Sequence, residues 1–190
     1  MAFLPNPKSR ALLFDVTRCV GCRECAKACK ASHEFPGTGA ETELDATTYT
    51  VVLDKGDDRY LRRMCMHCAD PGCLKACPSP GAIVQYTNGI VDFQKDACIG
   101  CGYCIKGCPF NIPRIEWTKT IPVVRKCDGC YERQKEGKPT ACTEACPAEA
   151  TVGGTREEML AEAKKHGRLR SEGKTYRVRD GDVIEILFSR

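Results

Sequence analysis

Cys98-Ile-Gly-Cys101-Gly-Tyr-Cys104-Ile-Lys-Gly-Cys108-Pro109 is the stretch on which the reading of this chain turns. Its C-x₂-C-x₂-C-x₃-C-P spacing is that of a bacterial ferredoxin run, in which three thiolates hold one [4Fe–4S] cube and the fourth crosses to a neighbouring cube. Such a cube needs four soft, anionic ligands at the corners of a tetrahedron. Two-residue gaps let one tight loop present three of them, with Gly100 and Gly102 relieving backbone crowding. Pro109 has a fixed φ, offers no N–H and disfavours helix at Cys108, so the chain is expected to leave the site extended. A zinc knuckle or a pair of disulfides accounts for one C-x₂-C, but not for four cysteines at this spacing.

Outward from this run the pattern recurs three times. Cys19, Cys22, Cys25 and Cys29 repeat the spacing, with Lys30 where the proline would stand. In Cys65, Cys68, Cys73 and Cys77-Pro78 the turn Asp70-Pro71-Gly72 widens the second gap without changing the ligand count. The last run, Cys127, Cys130, Cys142 and Cys146-Pro147, contains an eleven-residue insertion whose charges (Glu132, Arg133, Lys135, Glu136, Lys138) read as a solvated face or, alternatively, a docking surface. The 16 cysteines in 190 residues are about one residue in twelve, far above ordinary usage. Disulfide scaffolds of that density are shorter secreted chains without tandem C-x₂-C runs, so thiolate ligation of metal is favoured. The formal net charge of +4 counts every thiol as neutral. Four oxidised cubes, each about −2 with its thiolates, would bring it to about −4. The basic side chains then balance buried anions and do not amount to a nucleic-acid footprint, which needs a clustered basic face with aromatic platforms.

Between the runs the sequence predicts short strands. Arg10 to Val16 reads as one leading into the first run, and Thr48 to Leu53 and Tyr60 to Met64 as two more around the polar turn DKGDD. Ser32 to Asp45, rich in Gly, Thr and Glu, reads as a surface loop. Ala82 to Tyr86 and Ile90 to Phe93 flank Asn88-Gly89, a strong hairpin signal because both residues tolerate positive φ. Two cysteine runs joined by one hairpin make a two-cluster ferredoxin unit, here 60–117. The first and fourth runs are left to pair with each other. Residues 1–59 and 118–155 therefore form a discontinuous outer unit around the inner one, a nested internal repeat. The segment 156–190 adds a helix and a strand: Thr155 to Glu158 matches a capping box, Met159, Leu160 and Ala163 recur at helical spacing before Gly167, and Val183 to Phe188 reads as an apolar strand. The expected fold class is small, loop-rich α+β, built of two pseudo-symmetric bacterial-type two-cluster ferredoxin units.

With sixteen thiols making four full sets, His33 and His67 read as hydrogen-bonding or packing residues and His166 as a surface residue at a helix C-terminus. No apolar run approaches the about 18 residues of a membrane span, and the first residues, MAFLPNPKSR, lack the pattern of a secretory signal. The expectation is a soluble chain without an address of its own. Its compartment stays open between the cytoplasm and the periplasm, because a subunit can be exported on a partner that holds the signal.

The segment CMHCADPGCLKACPSPGAIVQYTNGIVDFQKDACIGCGYCIKGCPFNIPR, and above all its CLKACPS and CPFNIPR elements, resembles the iron–sulfur β subunit of respiratory formate dehydrogenases, within the four-cluster electron-transfer subunits of the molybdopterin oxidoreductase family. The resemblance runs from about Arg10 to Lys164 and implies an electron wire that is not itself catalytic. Electrons from a large subunit carrying a molybdenum or tungsten pterin would pass through four [4Fe–4S] clusters to a haem b membrane subunit linked to quinone, or to a soluble acceptor. It also implies the ligand sets. Cys19, Cys22 and Cys25 would share a cube with Cys146, and Cys127, Cys130 and Cys142 one with Cys29. Cys65, Cys68 and Cys73 would be completed by Cys108, and Cys98, Cys101 and Cys104 by Cys77. The chain departs from the membrane-bound pattern in having no C-terminal transmembrane helix and a short loop between its first two runs. That favours a soluble complex or one held to the membrane through another subunit. The same wire could serve a hydrogenase, a polysulfide reductase or a dimethyl sulfoxide reductase, or be a free polyferredoxin carrier.

Overall fold

A computed structural model describes residues 6–117, 120 and 122–165. The expectations for His166, Gly167 and the strand Val183 to Phe188 lie outside the described residues. The fold is a small α+β one, and its order follows the cysteine runs. Each run is entered by a strand, carries a helix at its third cysteine, and is left by another strand.

The entering strands are β1 (Arg10–Phe14), β3 (Tyr60–Met64), β5 (Val91–Phe93) and β7 (Val123–Arg125). The leaving strands are β2 (Thr50–Asp54), β4 (Ile83–Gln85), β6 (Arg114–Glu116) and β8 (Thr151–Thr155). Every leaving strand pairs antiparallel with the strand that enters the next run: β2 with β3, β4 with β5, β6 with β7. The last pairs with the first, Arg10 to Phe14 of β1 lying against Thr155 to Thr151 of β8. The four two-stranded sheets thus close a circuit from one end of the described chain to the other. The residue boundaries 59/60 and 117/118 fall within the β2–β3 and β6–β7 hairpins, so these two sheets link the inner cysteine runs to the outer ones.

In every run the third cysteine is the second residue of a helix: Cys25 in α1 (Glu24–Ser32), Cys73 in α2 (Gly72–Lys75), Cys104 in α3 (Tyr103–Lys106) and Cys142 in α5 (Ala141–Glu144). Prolines 78, 109 and 147 follow three of the runs, and there the helix is a single turn that stops before the fourth cysteine. Lys30 stands at the equivalent place in the first run, and α1 continues through Cys29 to Ser32. The Lys30 ammonium is buried and holds the long following loop to the helix, donating to the Pro36 carbonyl at 2.8 Å and Thr48 Oγ1 at 2.9 Å. The eleven-residue insertion forms α4 (Tyr131–Lys135), where Lys135 pairs with Glu132 and Arg133 with Glu144 on an exposed face. The capping box is formed before α6 (Arg156–Lys165): Thr155 N–H donates to Glu158 Oε2 at 2.8 Å, and Glu158 N–H to Thr155 Oγ1 at 3.2 Å.

Buried apolar residues fall into four small clusters rather than one core. One joins Ile83, Val91 and Val124 to Cys73 and Cys104; another joins Val52 to Cys25 and Cys142. Tyr49 packs with Cys29 and Cys127, against Cys65; Leu44, Val51 and Ile112 pack against Cys65 and Cys108. Thiols are therefore part of every apolar cluster described.

Candidate iron–sulfur sites

The four C-x-x-C turns share one backbone shape. The residue before the second cysteine is left-handed in each: Gly21 (φ 69°), His67 (φ 44°), Gly100 (φ 68°) and Gly129 (φ 67°). Such a turn directs backbone N–H groups to one side and makes a concavity suited to an anion. Gly129 N–H accordingly donates to Cys127 Sγ at 3.4 Å, and the Gly21 N–H to the Cys19 thiol.

All sixteen cysteines are free of disulfides, and the fold gathers them across runs. Their mutual influence identifies neighbours. Burial pushes the Cys68 thiol up to about 11, and Cys65, Cys73 and Cys108 add to it. Burial also dominates at Cys104, at about 12, where Cys73, Cys77, Cys98 and Cys101 contribute. Cys130, likewise raised to about 12 by burial, feels Cys142 and Cys29. Cys19 and Cys25 are both raised, by burial first, and both feel Cys146. Neighbourhoods that mix runs result: Cys68 with Cys65, Cys73 and Cys108, Cys104 with Cys98, Cys101, Cys77 and Cys73, Cys130 with Cys142 and Cys29, and Cys19 and Cys25 with Cys146. They also touch in a line: Cys25 meets Cys142, Cys127 meets Cys65, and Cys73 meets Cys104. Cys22 and Cys101 are the exposed thiols, and they lie in the neighbourhoods at the two ends of that line.

Thiols this buried do not ionise on their own, since desolvation and like-charge neighbours both oppose the thiolate. A metal cation that replaces the proton removes that cost. Two features fit an anionic iron–sulfur group. One cavity is lined by Cys29, Cys127, Cys130 and Cys142 together, with Arg62, His33 and Thr140 around them. Thr140 Oγ1 lies 3.3 Å from Cys142 Sγ, a hydroxyl–sulfur hydrogen bond in which either atom can donate.

Buried polar groups complete the fit. His67 Nδ1 accepts from Val91 N–H at 3.1 Å, which places the ring proton on Nε2. That Nε2–H is buried and finds no hydrogen-bond partner among the described residues. Burial, then the nearby Lys126 charge, push the His67 pKa down to about 3, so the ring is neutral. Lys126 is itself buried and donates to the carbonyls of Val91 and Cys127, the latter at 2.7 Å. His33 is the opposite case. Burial works against its charge, yet hydrogen bonds with Asp128 and Cys29 hold it up at about 10. Its Nε2 lies 3.1 Å from Asp128, and its Nδ1 2.7 Å from the Cys29 carbonyl. Both histidines are thus hydrogen-bonding residues beside the thiols, as the sequence predicts. Arg62 and Lys126 are functional candidates that the motif reading passes over. Arg62 carried a signal: in Tyr60-Leu-Arg-Arg-Met64 it shares the face of Tyr60 and Met64, which in a strand between two runs marks an inward charge.

Tandem cysteine runs whose buried thiols meet across runs, some of them beside buried cations, define the class as that of an iron–sulfur protein. The chain belongs to the 4Fe–4S dicluster family, whose family model matches residues 57–156. It is 45% identical over 179 residues to the "Formate dehydrogenase, nitrate-inducible, iron-sulfur subunit" of Escherichia coli (strain K12), across 86% of this chain and 60% of that protein. Against the formate dehydrogenase iron-sulfur subunit of Haemophilus influenzae it is 42% identical, across 89% and 61%. The "Hydrogenase-2 operon protein HybA" of Escherichia coli O157:H7 is 34% identical, across 87% and 58%. The chain spans about three fifths of the length of these relatives. No described helix is long and apolar enough to cross a membrane.

Proposed function

We propose that this chain is the electron-transfer subunit of an oxidoreductase complex, most nearly a formate dehydrogenase, and that it holds four [4Fe–4S] clusters. Bound cubes supply one-electron redox chemistry. The chain's part is to hold, space and electrically balance them. In this reading the ligand sets are Cys19, Cys22, Cys25 with Cys146; Cys29 with Cys127, Cys130, Cys142; Cys65, Cys68, Cys73 with Cys108; and Cys77 with Cys98, Cys101, Cys104. The fold is then a nested pair of two-cluster ferredoxin-like units that share the β2–β3 and β6–β7 sheets. The supporting observation is the line of thiol neighbourhoods with one exposed thiol at either end, Cys22 and Cys101, the disposition a path between two partners requires. The partners are a large subunit with a molybdenum or tungsten pterin at one end, and a haem b membrane subunit or a soluble acceptor at the other. The chain performs no bond-making step, and its side of the membrane is set by the partner with which it travels.

The hydrogenase relative, at 34% identity, supports a second reading in which the same wire serves a hydrogenase. Isolation of the chain with its natural partners separates the two. This chain, separated anaerobically from the complex, is expected to contain iron and acid-labile sulfide at about sixteen each, four irons to a cube. The complex's catalytic subunit alone should still reduce a small artificial dye with formate, while reduction of the natural acceptor should disappear without this chain. Undiminished natural-acceptor reduction in its absence would overturn the wire reading, and a hydrogen-oxidising partner would select the second.

A further inference from the structure

Arg62 lies in β3 with its side chain turned inward, the residue being 9% exposed. Its Nε donates to Thr50 Oγ1 at 2.9 Å and its Nη1 to Thr151 Oγ1 at 3.2 Å. It lines one cavity with Cys29, Cys127, Cys130 and Cys142, and the Cys142, Cys25 and Cys127 sulfurs are the groups that interact with its charge. Among the described residues no carboxylate pairs with it. A guanidinium does not lose its proton in a protein, so this is a permanent buried charge. Such a charge is strongly destabilising unless an opposite charge compensates it. Among the described residues the groups about it that could do so are sulfurs: Cys142 and Cys127 in one proposed ligand set, and Cys25 and Cys19 in the next. His33 and Asp128 are paired at 3.1 Å and offset each other. Lys126 is a second buried cation that acts on the same set through Cys127 and also on Cys73, whereas Cys142 and Cys25 are the sulfurs on which Arg62 acts most strongly.

We infer that Arg62 is a positioning residue that raises the reduction potential at the junction of the two outer clusters, the one held by Cys29, Cys127, Cys130 and Cys142 and the one reached through Cys25. The inference rests on the ligand sets proposed above. One electron from the reductant converts the oxidised cube to its reduced form, no proton is taken up, and the site becomes more negative by one charge. A fixed cation against a ligand sulfur stabilises that added charge more than it stabilises the oxidised site. Removal of the cation therefore lowers the potential of the clusters it touches and leaves the Cys77 set, at the far end of the line, unchanged.

The test is a potentiometric titration of the anaerobically isolated complex with dithionite, followed by electron paramagnetic resonance. Wild type, Arg62→Gln and Arg62→Lys are compared, with Cys130→Ser to assign the signal of its cluster. Arg62→Gln is expected to make reduction of that cluster at least tenfold less favourable, about 59 mV for one electron, while the potentials of the clusters remote from Arg62 hold. Arg62→Lys retains the charge without the fork and is expected to recover most of the shift. Unchanged midpoints in an iron-replete Arg62→Gln complex overturn the inference, as does an Arg62→Lys protein shifted as far as Arg62→Gln. Should Arg62→Gln fail to retain iron, Arg62→Lys decides: full iron and near-wild-type midpoints support the charge role, and loss of either overturns it. A wild-type complex without four reducible centres defeats the four-cluster reading instead, and the inference with it. Four centres that ignore Arg62 defeat the inference alone.

Discussion

At Gly100 the backbone stands at φ 68°, and a Cβ placed there would come within 2.4 Å of the Pro122 carbonyl oxygen. Gly56, at φ 79°, has open space around the same position. The two glycines separate conformational strain from collision. Gly56→Ala is expected to lose only the left-handed preference, about 1–2 kcal/mol. Gly100→Ala should lose that and also displace the strand entering the fourth run, lowering both the midpoint of thermal unfolding and the iron retained. Equal effects of the two changes would refute the collision argument. The glycine before the second cysteine was legible from sequence in three of four runs, because C-x-G-C announces its turn. His67 was not, since nothing in Cys65-Met-His-Cys68 says that a histidine adopts φ 44° and buries a ring N–H. Lys126 was hidden for a related reason. A lysine beside a cysteine run looks like surface charge until Val91 and Cys127 are seen to bury its ammonium.

Helices α2 and α3 cross where Gly72 meets Gly107, closely enough that a Cβ on Gly72 would lie 2.4 Å from the Gly107 carbonyl oxygen, and one on Gly107 2.6 Å from Ala76 Cβ. This crossing sets Cys73 at the start of α2 against Cys108 just beyond α3, members of one proposed ligand set from two different runs. Gly107→Ala is therefore expected to prise the two helices apart at about 1–3 kcal/mol, the usual cost of overpacking. The Cys65 set should feel it more than the Cys19 set, as preferential loss of one cluster signal. Uniform loss, or none, would count against a crossing that positions thiols. At this scale the sequence was informative wherever a residue type forces the backbone. Asn88-Gly89 forecast the β4–β5 turn and Thr155 with Glu158 the cap of α6. Pro109 keeps helix from Cys108 as expected, but the chain then turns, Asn111 N–H donating to the Cys108 carbonyl at 3.0 Å, where an extended exit was expected. The β6–β7 sheet escaped because its strands have three residues each and no paired turn residues between them. The first-run helix was missed although Lys30, in place of a proline, leaves the chain free to continue it.

Taken whole, the described fold has neither a large sheet nor a continuous apolar core. Its sheets have two strands each, and isolated two-stranded hairpins are marginal in water. Each apolar cluster includes thiols, so the packing that holds β4, β5 and β7 together, for example, runs through Cys73 and Cys104. Two further charges, Arg62 and Lys126, are buried without carboxylate partners among the described residues, a cost that only anionic sites beside them can offset. The hairpin circuit links all four runs, and the loss of one site exposes strands that brace the next. Iron removal is thus expected to unfold the chain as a unit instead of emptying a rigid scaffold, because binding and folding free energy are one quantity when the site is absent from the unfolded chain. Anaerobic chelation followed by circular dichroism, amide dispersion in nuclear magnetic resonance and limited proteolysis measures this directly. Dispersion should collapse, and cleavage should spread through all four runs together with the loss of iron. A cluster-free chain that kept native dispersion and resisted protease would show that hairpins and apolar clusters suffice, and that the buried cations have some other counter-charge.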